Sequence, residues 1–147
     1  MDAGTLALPE GCRSEVRVTI RVPAPKVRMM TTAEVTAAPQ VNLVYSRHAA
    51  EGSALEALGH IVELTKSQGV GAKLLKQEEL RFDDGQAGVS ALLALQVDPQ
   101  TLLHQKHFMR MDEGVLTHFV LTGPSRGFDK VDRDWSGRIR GFQLSAD

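Results

Sequence analysis

Alternation of apolar and polar positions opens the chain's pattern. Val16, Val18, Ile20 and Val22 alternate with Arg17, Thr19 and Arg21, a period of two that predicts a β-strand with one wet face. Val41-Asn42-Leu43-Val44-Tyr45-Ser46 predicts a second strand. Between them lies Pro23–Pro39, with three prolines among Thr and Ala, which reads as a long connection or mobile loop. The period then changes. Ser53 stands three residues before Glu56, a capping-box spacing, and Leu55, Leu58, Ile61, Val62 and Leu64 follow at helical intervals up to Gly69 and Gly71, so a first amphipathic helix is expected here.

The middle of the chain returns to strands. Leu74 to Phe82 and Ala87 to Val97 flank Asp84-Gly85, which suits a two-residue turn pairing Asp83 with Gln86 and setting Leu80 opposite Val89. Asp98-Pro99 marks the next turn. Leu102–Met111 and Val115–Thr122 are expected to join through a three-residue loop, Asp112-Glu113-Gly114, with Met111 opposite Val115. A second helix is expected over roughly Asp129 to Phe142, its stripe made by Phe128, Val131, Trp135, Ile139 and Phe142. The order β-β-α-β-β-β-β-α predicts one α+β domain over residues 1–147, a curved, antiparallel six-stranded sheet with two helices packed on it.

Two helices can cover one face of such a sheet, not both. Ser90, Leu92, Ala94, Leu116, His118 and Val120 fall opposite the better-packed residues, so a second face with apolar character is expected either to front a groove or to be covered by loops such as Pro23–Pro39.

Composition narrows the function. The 147 residues are 42% hydrophobic and 24% charged, with 17 Lys+Arg against 18 Asp+Glu and a net charge of −1. That balance offers no basic stripe for nucleic acid. One cysteine, Cys12, permits no intrachain disulfide and no cysteine-rich zinc site. The first ten residues lack a basic and apolar leader, and no apolar run is long enough to span a bilayer. A cytoplasmic protein, not embedded in a membrane, is the expectation.

Candidate chemistry is sparse. His104 and His107 are an odd number of residues apart on one strand and point to opposite faces, with no carboxylate beside them, so no metal site is expected. Asp83-Asp84 flanks a turn, where aspartate serves the backbone. Ser125 and Cys12 lack the settings that mark nucleophiles. Neither an enzyme nor a cofactor is expected.

Leu8-Pro9-Glu10-Gly11, Val41-Asn42-Leu43-Val44-Tyr45-Ser46-Arg47, Ser53-Ala54-Leu55-Glu56 and His104-Gln105-Lys106-His107 together resemble the DcrB-like family of the PsbP-like fold, and within it the Eag chaperones of type VI secretion effectors. The resemblance implies a PsbP-like fold over nearly the whole chain. It also implies a chaperone that shields the hydrophobic N-terminal transmembrane helices of an effector until loading, and it allows a homodimer. The implied client-binding positions are Val18, Ile20 and Val22 on the first strand, with Gln105 and His107 on the fifth. Pro23–Pro39 is longer than that pattern, and Arg17, Arg21 and Arg28 make this edge more basic. Two other readings stay open: a generic protein-interaction module, and a small-molecule-binding domain of the same fold.

Overall fold

The computed structural model describes residues 13–21, 28–38, 41–68 and 71–142. They form nine elements: β1 (Arg13–Arg21), β2 (Arg28–Ala38), β3 (Val41–Ala49), α1 (Ala54–Ser67), β4 (Ala72–Arg81), β5 (Ala87–Asp98), β6 (Thr101–Asp112), β7 (Val115–Pro124) and α2 (Phe128–Arg140). All strands join one antiparallel sheet in the order β1-β2-β3-β7-β6-β5-β4. The architecture is α+β, as the pattern predicts, but seven strands replace the expected six. The extra strand is β2, inside the segment expected to be a connection. Pro23, Pro25 and Pro39 all stand outside Arg28–Ala38, so β2 keeps every backbone donor a sheet requires.

The β4–β5 and β6–β7 hairpins each differ from expectation by one residue, in opposite directions. Arg81 pairs with Ala87, and the Phe82 N–H donates to the Gln86 carbonyl at 2.8 Å, which makes Asp83-Asp84-Gly85 a three-residue loop. The Asp84 carboxylate accepts from the Gln86 N–H, and Gly85 takes φ +92°, the left-handed position that closes such loops. Asp112 pairs with Val115, leaving a two-residue turn in which Glu113 and Gly114 both have positive φ, the type I′ requirement. Each shift moves a strand's residues to the other side of the sheet. Leu80 and Phe82 accordingly share a side with Gly88 and Phe108, and a bulge between Leu74 and Lys76 turns Leu74 back toward Leu93.

The two helices lie on opposite faces. α2 packs on β6 and β7, where Phe128, Trp135, Ile139 and the following Phe142 meet Val41, Leu43, Tyr45, Phe108, Phe119 and Leu121. α1 packs on β4, β5 and β6, setting Leu58 and Val62 on Val89, Ala91, Leu93, Leu95 and Met109. Its start follows the capping-box reading: Ser53 Oγ accepts from the Glu56 N–H at 3.1 Å and donates to Glu56 Oε1 at 3.2 Å. Ser90 and Leu92 sit on the α2 face and Leu116, His118 and Val120 on the α1 face. The expected groove face is therefore not one surface.

A buried ion cluster ties α2's end to the β4–β5 hairpin. Arg110, 1% exposed, makes charge-assisted bonds to Asp84 (2.7 Å) and Asp112 (2.8 Å) and lies over the Phe82 ring at 4.7 Å. The Arg140 carbonyl accepts from the Asp83 N–H at 2.8 Å.

Candidate functional site

Among the described residues, the α1 face is only partly roofed. α1 covers β4 to β6, while Val44 and Ser46 on β3 and Val120 and Thr122 on β7 stay half-buried. Val44 pairs with Val120, which pairs with His107; Ser46 pairs with His118; Thr122 pairs with Gln105. Three strands thus carry a small field in which aliphatic side chains neighbour hydrogen-bonding ones.

Within the field a chain of hydrogen bonds runs across β6 and β7. Gln105 Nε2 donates to Thr122 Oγ1 at 3.3 Å, Gln105 Oε1 lies 2.7 Å from His107 Nε2, and His107 Nδ1 lies 2.8 Å from His118 Nε2. The two imidazoles stack with centroids 5.1 Å apart. Gln105 and His107 are two residues apart on one strand and so share a face, and His118 faces Met109, one diagonal step from His107. Burial lowers the His107 pKa from 6.5 to about 4. Burial likewise lowers that of His118 to about 3, with smaller contributions from His107 and His48. Both rings are neutral at physiological pH.

The sequence-predicted residues divide. His107, implied as a client-binding position, is 4% exposed and held between Gln105 and His118. Gln105 is half-buried beside it. Val18 and Ile20 are positions of β1, the edge strand at the far end of the sheet, and pair with Thr31 and Met29. Following that register through Arg47 and Thr117 to Arg110 puts both positions on the α2 face, opposite Gln105 and His107. Val22 falls outside the described residues. One groove formed by all five is not what the topology builds. His104 and His107 do point to opposite faces, as expected: His104 meets Phe128 edge-on on the α2 side.

The sequence reading missed His118 as a partner of His107. The Gln-x-His spacing was visible, but the cross-strand neighbour depends on the hairpin register, which was displaced by one residue.

A second concavity, an open cleft of about 620 Å³, lies between the start of α1 and the β4–β5 hairpin. It is lined in part by Ala54, Leu55, Ala87, Val89 and Met111. Most of its polar groups are engaged internally: Ser53 caps α1, Gln86 Nε2 donates to the Met111 carbonyl, and Arg81 donates to the Gly85 carbonyl. A small ligand would find little left to orient it.

No protein-family description and no curated protein matches the chain. Among solved structures it is similar to cyanobacterial PsbP (CyanoP) from Synechocystis sp. PCC 6803, at 17% identity and a TM-score of 0.67, covering 95% of this chain and 85% of that one. The fold is PsbP-like. A second structure with this fold is PA94 from Pseudomonas aeruginosa, a protein of unknown function whose name suggests a regulator, at 15% identity and a TM-score of 0.61, covering 98% of this chain and 99% of that one. Identities this low carry the PsbP-like fold and nothing finer. Among the described residues no helix is long and apolar enough to cross a membrane.

Proposed function

We propose that this chain is a non-catalytic binding protein that holds an apolar helix of another polypeptide against the uncovered half of its α1 face. The observation that carries the reading is the field on β3, β7 and β6, where Val44 and Val120 lie among Ser46, His118, Thr122 and Gln105. A helix taken from a membrane requires close van der Waals contact along its aliphatic face and partners for its small polar residues, and this field offers both. The PsbP-like fold is compatible with the role. The motifs at Val41–Arg47, Ser53–Glu56 and His104–His107, which resemble those of Eag chaperones, narrow it further. On that reading the chain is a cytoplasmic chaperone or adaptor, the client is the hydrophobic N-terminal segment of a type VI secretion effector, and the holder acts alone or as a homodimer.

The test is co-expression with a soluble reporter carrying such a segment. Wild-type protein keeps the reporter soluble and co-purifies with it. Val120→Asp, which sets a charge in the middle of the field, loses the reporter while retaining its fold by circular dichroism. Leu55→Asp, at an exposed position of α1, does not. A reporter that stays insoluble beside wild-type protein, or one held equally by Val120→Asp, overturns the proposal.

A further inference from the structure

The hydrogen-bond chain on the α1 face has a direction. The Gln105 amide donates through Nε2 to Thr122, so the oxygen turned toward His107 is an acceptor and His107 Nε2 carries the proton between them. A neutral imidazole has one N–H, and burial keeps this ring neutral. His107 Nδ1 is therefore a lone pair, and the proton in the 2.8 Å contact belongs to His118 Nε2. His118 is neutral as well, so its own Nδ1 is bare. Among the described residues no hydrogen bond reaches that atom. Among the described residues, this run of hydrogen bonds ends on an acceptor that is still open.

We propose that His118 Nδ1 is a specificity-determining acceptor that takes a hydroxyl hydrogen bond from a bound apolar helix, so that the field prefers helices bearing a Ser or Thr among their aliphatic residues. The inference rests on the client-binding reading above and names what in the client is recognised. Three neighbours fix the chemistry of the occupant. Ser46 lies directly opposite His118, and Val44 and Val120 complete the adjacent row, so the acceptor stands among small and aliphatic groups. His48, the titratable neighbour acting on His118 across β3, adds no carboxylate that would favour a cationic ligand. A bare imidazole nitrogen has no proton to give an anion. The complement is a neutral donor inside an apolar surface, and a hydroxyl in a helix of membrane origin fits it. Thr122, Gln105 and His107 are positioning residues: they set which nitrogen of His118 faces the client.

The experiment has two readouts. The first is the tautomer of His118 in the free protein, from long-range proton–nitrogen NMR correlations at neutral pH. The expected pattern is Nε2 protonated and Nδ1 bare, and Gln105→Ala releases the bias toward it. A protonated Nδ1 in wild-type protein reverses the chain and overturns the inference. The second is binding of two fusions carrying an apolar Leu/Ala helix of about 20 residues, identical except for a central Ser or Ala. The Ser helix is expected to bind about 3- to 10-fold more tightly, the range of one net hydrogen bond. His118→Phe, which keeps a ring and removes the acceptor, brings the ratio to about one. Equal binding of both helices to wild-type protein removes the inference and leaves the chaperone reading intact. Failure of both to bind removes the reading and the inference with it.

Discussion

Acidification should unlock the α1 face, because the two stacked imidazoles are held there in their neutral form. The folded-state pKa of His107 lies near 4 and that of His118 near 3, both below the ordinary 6.5. The denatured chain, with histidines titrating near 6.5, therefore binds protons first. Between pH 6.5 and 4 unfolding takes up protons, so stability is complete above 6.5 and is lost progressively as the pH falls. Each unit of pKa difference is about 1.4 kcal/mol. The displacement of His107 alone thus amounts to about 3 kcal/mol by pH 4, a large share of a typical domain's stability. His118, displaced in the same direction, steepens the loss. The carboxylates Asp84 and Asp98, whose pKa values are lowered from 3.8 chiefly by hydrogen bonds from Arg110 and the Gln100 N–H, act in a separate window below that value. Urea unfolding at about pH 7, 5.5 and 4.5 measures the slope. Wild-type protein should lose about 2 to 3 kcal/mol or more across that range. The double variant His107→Gln/His118→Gln should start lower and stay nearly flat. A flat wild-type profile, or a variant as steep as wild type, refutes the account.

Two further substitutions test the packing. A Cβ on Gly88 would stand 2.6 Å from Phe82 Cε1 and 2.8 Å from the Met109 carbonyl oxygen; because the second contact is backbone, Gly88→Ala should cost about 1–3 kcal/mol in denaturant unfolding, and a change under about 0.5 kcal/mol contradicts the close approach. Arg110→Ala strands the mostly buried Asp112 and uncovers Phe82, so thermal unfolding should report a loss of about 3–5 kcal/mol, whereas Lys76→Ala, removing an exposed pair with Glu78, should be nearly silent.

The fold was largely legible because period and capping are local. Val41 to Ser46 form a strand as read, Ser53 and Glu56 close α1's first turn, and Phe128, Trp135, Ile139 and Phe142 bury one stripe. β2 was hidden because Thr31, Thr32, Ala33 and Glu34 show no clean alternation, and flanking prolines suggest a loop even when they stand outside the ladder. The loops at Asp83-Asp84-Gly85 and Glu113-Gly114 carry similar dipeptides and differ in length by one residue. That choice is made by the Asp84 side chain, which both caps its own turn and pairs with Arg110 from a distant strand. Once register slips, face assignments invert. The field on the α1 side could not be read from spacing for this reason; Gln105 and His107 entered only through the resemblance.

The outermost strand beside β5 has a bearing on how this protein behaves in crowded solution. β4 ends the sheet with an open row of backbone groups, yet it is interrupted at Leu74/Lys76 and presents Lys73, Lys76, Glu78 and Glu79 to water. An incoming ribbon would have to desolvate ammonium and carboxylate groups and match a kinked ladder at once. On the function proposed above, a molecule that handles sticky segments of other chains is thereby guarded, along this border, from zipping onto its own kind.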